Sequence, residues 1–221
     1  MEPQEFNRQL VELRKIIADG IAYFSAWRSL RVGDEDSAQA LNRYRGLFLP
    51  AQIALQSQTL MQFAKVFDKH PKTISLRNLL TAANENRLNL TPHATEKELQ
   101  DIEEKINNSE SLLIRLKRYR DTRLAHHDAI VAGDTSLPYG EVNKLVEDVK
   151  SMYNSLTKGH DQSVTSFEQL ARDAERHTSE VVRIMREERD RAIQRVKEID
   201  NATSDSSQTL RFPNSCQGSF I

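Results

Sequence analysis

Cysteine is all but missing from this chain. The one copy among 221 residues, Cys216, sits in a polar C-terminal stretch, so there is no disulfide framework and no thiolate metal cluster. The expected home is a reducing cytoplasm. Glycine and proline are scarce as well, at 7 and 6 residues, which argues against a loop-rich β fold and leaves helix as the default. No apolar run approaches the roughly 20 residues that a membrane span needs. The opening Met1-Glu2-Pro3-Gln4-Glu5 also lacks the basic-then-apolar pattern of an export signal, so the expectation is a protein neither exported nor inserted. An excess of one charge is absent too. With a net charge of −1, the chain is unlike proteins that coat long stretches of nucleic acid through many Lys and Arg contacts to phosphates. Any nucleic-acid contact must be local. There is no phosphate-cradling Gly-rich loop and no His-Glu-x-x-His, so nucleoside-triphosphatase and zinc-protease readings lack support.

What is present is helical periodicity over a chain long enough to bury a sizeable core. Phe6, Leu10, Leu13, Ile17, Ile21, Phe24 and Trp27 recur at steps of three and four and predict a helix over 4–31. Gly20 falls near that face and reads as a tolerated cost rather than a point of close approach. A second helical stretch runs from a cap at Asp36 or Ser37 to about Lys69, with Pro50 as a kink or restart. A short helix over 74–87 follows. Thr95 with Glu98 forms a capping-box pattern that opens a helix carrying Leu99, Ile102, Ile106, Leu113 and Leu116. Val142 to Leu156 define another, ended by Gly159, and the last begins near Thr165 or Ser166. Ten of its residues 186–200 are charged, which predicts a solvated face or an arm that pairs with another chain. The expectation is an all-α, up-and-down bundle of about six helices over 1–200, with a long charged C-terminal helix. Residues 201–221 read as a disordered tail. Tyr23, Phe24, Trp27, Phe48, Phe63 and Phe67 follow helical spacing and are assigned to the core, not to base stacking.

Residues 118–128, Arg-Tyr-Arg-Asp-Thr-Arg-Leu-Ala-His-His-Asp, concentrate the chemistry. An imidazole can move the proton of an attacking hydroxyl near neutral pH, and a forked Arg can hold a phosphate as negative charge builds on it. Arg115, Lys117, Arg118, Arg120 and Arg123 put five cations in nine residues, with Asp121 the only acid among them. Arg115, Lys117 and Arg118 are the candidate RNA-binding residues. Tyr119 either lines the same cleft or packs beneath it. In a regular helix Arg120 and His127 share a face, whereas His126 points about 120° away, so an Arg120–His126 site requires the helix to end near Leu124 or a second copy to complete it. Asp128 could orient either imidazole.

At these residues the chain resembles the HEPN family of helical domains, whose signature is Arg, then Asn, Asp or His, then three to five residues, then His. Arg120-Asp121-Thr122-Arg123-Leu124-Ala125-His126 fits it, and Ala125-His126-His127-Asp128 looks like the ending of the abortive-infection, U-type branch. The resemblance implies a helical bundle that dimerises so that two motifs face one cleft, acting as a metal-independent endoribonuclease of toxin or antiviral type. On that implication Arg120 binds the scissile phosphate and His126 acts on the ribose 2′-hydroxyl or the leaving oxygen. Asp121 holds Arg120 or the opposing motif in place, Arg123, His127 and Asp128 support the site, and the product is a 2′,3′-cyclic phosphate. RNA, a second copy and an antitoxin or regulatory protein are the implied partners, with neither metal nor cofactor.

Two other readings fit some of the same residues. Arg120, Asp121 and Arg123 could be an ion-pair cluster at a helix C-terminus with His126 and His127 as caps, leaving a non-catalytic module that binds a partner protein or nucleic acid. His127-Asp128 could belong to an HD-type metal site with His93 and Asp134 or Asp148, but adjacent His side chains on a helix diverge. His70 and His160 read as helix C-terminal residues, and His177 as a core or interface histidine.

Overall fold

The computed structural model describes residues 1–121 and 137–208, with side chains up to residue 202. Among these residues the chain forms nine helices and no strand: α1 (Pro3–Leu30), α2 (Glu35–Arg43), α3 (Arg45–Val66), α4 (Leu76–Glu85), α5 (Arg87–Leu90), α6 (Glu96–Asn108), α7 (Glu110–Tyr119), α8 (Tyr139–Asp161) and α9 (Glu168–Gln208). The all-α class is as expected. The count exceeds six because two of the anticipated stretches divide, at Tyr44 and Ser109, and because the short α5 forms just past the end of the helix expected over 74–87. Ser109 shows why. Its hydroxyl bonds back to the Lys105 carbonyl at 3.0 Å and its N–H reaches both Lys105 and Ile106, so it closes α6 and opens α7 in one residue.

Pro50 does not break its helix. α3 runs through it, and the carbonyl that loses a partner belongs to exposed Gly46, around which there is open space for water. The break falls at Tyr44 instead. The cap of α2 is Asp34, whose carboxylate accepts the Ser37 N–H at 2.8 Å, rather than Asp36 or Ser37. The capping box at Thr95 and Glu98 forms in both directions. α9 continues past residue 200 to Gln208, where loss of apolar periodicity had suggested a tail; residues 209–221 lie outside the described residues.

α1 is the central strut, packing along α3 and α9 and touching α4, α5 and α8, while α6 packs on α4 and α8. Phe6, Leu13, Ile17, Phe63, Leu76, Leu79, Leu90, Val149 and Leu156 are fully buried in the main core. Phe24 and Trp27 are buried with them, and Tyr139 stacks on Phe24 at 5.7 Å, anchoring the start of α8 on α1. A smaller cluster of Leu30, Leu41, Phe48 and Val182 seats α9 over α2 and the start of α3.

Two glycines have structural duties that sequence alone did not reveal. A Cβ on Gly20 would lie 3.2 Å from both Gln62 Cβ and Phe63 Cζ, so Gly20 lets α1 and α3 approach closely. Gly159 does not end α8, which runs on to Asp161 and is closed by Gln162 at φ 62°. A Cβ there would meet Ala94 Cβ at 2.7 Å, so Gly159 is where α8 docks on the segment before α6.

Candidate functional site

α7 carries its apolar residues Leu112, Leu113 and Leu116 into the core, docks on α3, and so places its polar flank beside the end of that helix. Between them lies a cleft of about 800 Å³, open to solvent. One wall is Lys117, Arg118, Arg120 and Asp121. Facing it are Asp68, Lys69 and His70, from the turn that follows α3, and Arg77 of α4. Ala64, Phe67, Leu113, Ile114 and Leu116 supply the apolar part of the lining.

Arg120 stands where the backbone leaves α7 and passes from α to π geometry with Asp121. Its Nε donates to Asp121 Oδ1 at 2.8 Å and its Nη1 to Asp68 Oδ2 at 3.5 Å, a longer contact. A guanidinium has five N–H donors, so among the described residues three of them are open. The side chain is about a quarter exposed, at 26%. The two carboxylates fix its plane without enclosing it.

Glu110, the first residue of α7, ties the second cationic group together. It accepts from Lys69 Nζ at 2.7 Å and from Arg77 Nη2, and the Lys69 bond is the main reason its carboxyl titrates below the ordinary carboxylate range. Arg77 Nε is buried with no partner among the described residues. The turn itself is tightly bonded. Asp68 Oδ1 accepts the His70 N–H at 2.9 Å, His70 Nδ1 accepts the Lys72 N–H at 3.2 Å, and the His70 carbonyl accepts from the Thr73 N–H, the Thr73 hydroxyl and Asn78 Nδ2. Five cations against three carboxylates give the cleft a positive excess on a chain whose net charge is −1.

Arg120, Asp121, Lys117 and Arg118 therefore share one cleft. Arg115 does not line it and pairs instead with Glu141 of α8. Tyr119 is half-buried and packs against the main core rather than lining the cleft. Arg123, His126, His127 and Asp128 lie outside the described residues, as does Asp134. Asp68, Lys69, His70, Arg77 and Glu110 join the cleft without having been singled out as site residues, and no local pattern marks them. Of the other histidines, His93 meets Gln162 at 3.2 Å and His160 meets the Leu90 carbonyl beside the Phe6 ring, both structural uses. His177 is exposed next to Arg176 rather than buried in a seam. Among the described residues no group of three metal-ligating side chains converges, and no helix is long and apolar enough to cross a membrane.

Comparison with protein families gives one match: the model HEPN_AbiU2, described as AbiU2, over residues 3–181. No curated protein and no solved structure matches. The matched segment runs from α1 into α9 and includes both walls of the cleft.

Proposed function

The chain belongs to the HEPN AbiU2 family, and from that membership, which places it with abortive-infection HEPN domains, we propose that it is an endoribonuclease that cuts RNA by internal transesterification. Arg120 grips the scissile phosphate through its open N–H donors. The motif histidine, His126 or its neighbour His127, takes the proton of the ribose 2′-hydroxyl as that oxygen bonds to phosphorus. The bond to the 5′-oxygen breaks as that oxygen takes up a proton from water, leaving a 2′,3′-cyclic phosphate and a 5′-hydroxyl, and the imidazolium returns its proton to solvent. Asp121 orients the guanidinium, Lys117 and Arg118 draw in the flanking backbone, and a second copy brings a second motif to the same substrate.

The observation that carries this reading is the placement of Arg120. It is aimed by a carboxylate and stands partly open on the wall of a cationic cleft. General acid–base catalysis supplies about 10²–10⁴ in rate, and one well-placed charged donor contributes roughly 3–4 kcal/mol to the transition state. Together these suit a modest, regulated toxin.

The test is cleavage of labelled total RNA in excess chelator by wild type, Arg120→Ala and His126→Ala. Each variant is expected to lose about 10²-fold or more in rate with unchanged circular dichroism and elution volume. One observation favours a second reading: both carboxylates beside Arg120 could simply neutralise it, as in a non-catalytic module that binds a partner. A folded wild type that cuts no RNA would select that module.

A further inference from the structure

The wall opposite the motif belongs to no recognised signature, yet it is built as firmly as the motif side. His70 is its centre. Three bonds to the His70 carbonyl, one from its N–H to Asp68 and one from the Lys72 N–H to its Nδ1 fix the residue on the surface of the turn. His70 is also one of the residues that line the cleft, and its side chain is exposed.

The Lys72 contact sets the tautomer. A backbone N–H can only donate, so Nδ1 is the accepting nitrogen and the neutral ring carries its proton on Nε2. Nε2–H is thus a fixed donor on an exposed side chain. Its neighbours Lys69 and Arg77 are committed to Glu110, so they supply positive potential while His70 supplies a directed bond. Asp68 links the two walls: one oxygen receives the His70 N–H and the other the Arg120 guanidinium. The His70 backbone and the Arg120 guanidinium are therefore tied to one carboxylate, and both residues line the same cleft.

We propose that His70, on the turn between α3 and α4, is an RNA-binding residue whose Nε2–H holds the phosphodiester adjacent to the one gripped by Arg120. This rests on the ribonuclease reading for its ligand and adds to it a subsite outside the motif. The cleft then has two jaws, the motif helix on the scissile phosphate and the α3–α4 turn on its neighbour. Holding two successive phosphates fixes the direction of the strand, which one guanidinium alone cannot do.

Two substitutions separate the donor from the turn. Asn at position 70 keeps an acceptor near the Nδ1 position for the Lys72 N–H but has nothing at Nε2. Gln places an amide N–H near the Nε2 position and gives up the turn acceptor. The probe is a fluorescein-labelled 2′-O-methyl oligoribonucleotide, which lacks the attacking hydroxyl and reports binding without cleavage, titrated into full-length wild type, His70→Asn and His70→Gln. His70→Asn is expected to bind about tenfold more weakly, and His70→Gln within about threefold of wild type. Wild-type affinity in His70→Asn, or a loss in His70→Gln as large as that in His70→Asn, overturns the proposal, as does a wild type that does not bind the probe. Cleavage of total RNA is scored separately. A wild type that binds through His70 but does not cut leaves the subsite standing and removes only the ribonuclease; one that cuts with His70 irrelevant does the reverse.

Discussion

Four cations that cluster in sequence, Arg115, Lys117, Arg118 and Arg120, do not all act together in the fold. Arg115 pairs with Glu141 of α8, whereas Lys117, about 200° round the helix from it, lines the cleft together with Arg118 and Arg120. The carboxylates are equally selective: Asp121 and Asp68 aim Arg120, and Glu110 joins Lys69 to Arg77. Replacing Glu110 with Gln leaves two cations facing each other over a neutral amide. Because the carboxyl is about one-third exposed, the loss at pH 7 is expected to be about 1 kcal/mol rather than the several of a buried pair. Its depressed pKa fixes the sign. The contribution is full above the unfolded-chain carboxylate pKa and is lost as pH falls through the lower folded value. Urea midpoints of wild type and Glu110→Gln should therefore differ at pH 7 and converge as pH falls below the ordinary carboxylate range. Lys117, Arg118, Arg120 and Asp121 could be grouped from the sequence because they lie close together along one short stretch of chain. The opposite side of the cleft could not, since Asp68 and Arg120 meet only through the docking of α3 on α7 and leave no spacing to read.

Helices declared themselves by apolar period, and the start of α6 was legible from its reciprocal cap, Thr95 with Glu98, whereas the single cap at Asp34 was not. Breaks made by backbone alone were missed. Tyr44 is such a break: it carries no side-chain cap bond, so nothing distinguishes it from helix interior in sequence. Glycines are harder still, because a missing Cβ is informative only when the opposing element is known. Gly159 gives a direct check of that docking. In an exposed helix Gly→Ala gains about 1 kcal/mol from propensity, but here the new methyl would lie 2.7 Å from Ala94 Cβ, which is fixed to backbone and cannot swing aside. Overpacking costs typically 1–3 kcal/mol, and a contact this short belongs in the upper part of that range, so Gly159→Ala is expected to lose about 1 to 2 kcal/mol net. Adding Ala94→Gly to that variant should recover part of the loss. A Gly159→Ala protein as stable as wild type in thermal melts would mean that α8 does not rest on that segment.

The molecule divides into a packed bundle and a projecting arm, and α9 belongs to both. Its first half is bound to the bundle: Glu175 pairs with Arg28 of α1, Val182 is buried, and Arg189, only 15% exposed, donates to the Asp36 carbonyl and carboxylate of α2. From residue 193 to 202 every side chain is exposed, including Ile193, Val196 and Ile199. Pairs such as Arg195 with Glu188 hold this stretch helical by local means, and exposed pairs of that kind contribute little to global stability. The family match stops at residue 181, so the arm lies beyond the part of the chain shared with the family. Cutting the chain after Ala192 should therefore leave the thermal midpoint within about 0.5 kcal/mol of wild type, as for surface changes generally. Cutting after Phe167 removes Val182 and Arg189, exposes the face of α1 that α9 covers, and should cost most of the stability. If the shorter deletion alone lowered the midpoint at high protein concentration but not at low, the arm's apolar residues would be buried between copies, since only an association equilibrium makes stability depend on concentration.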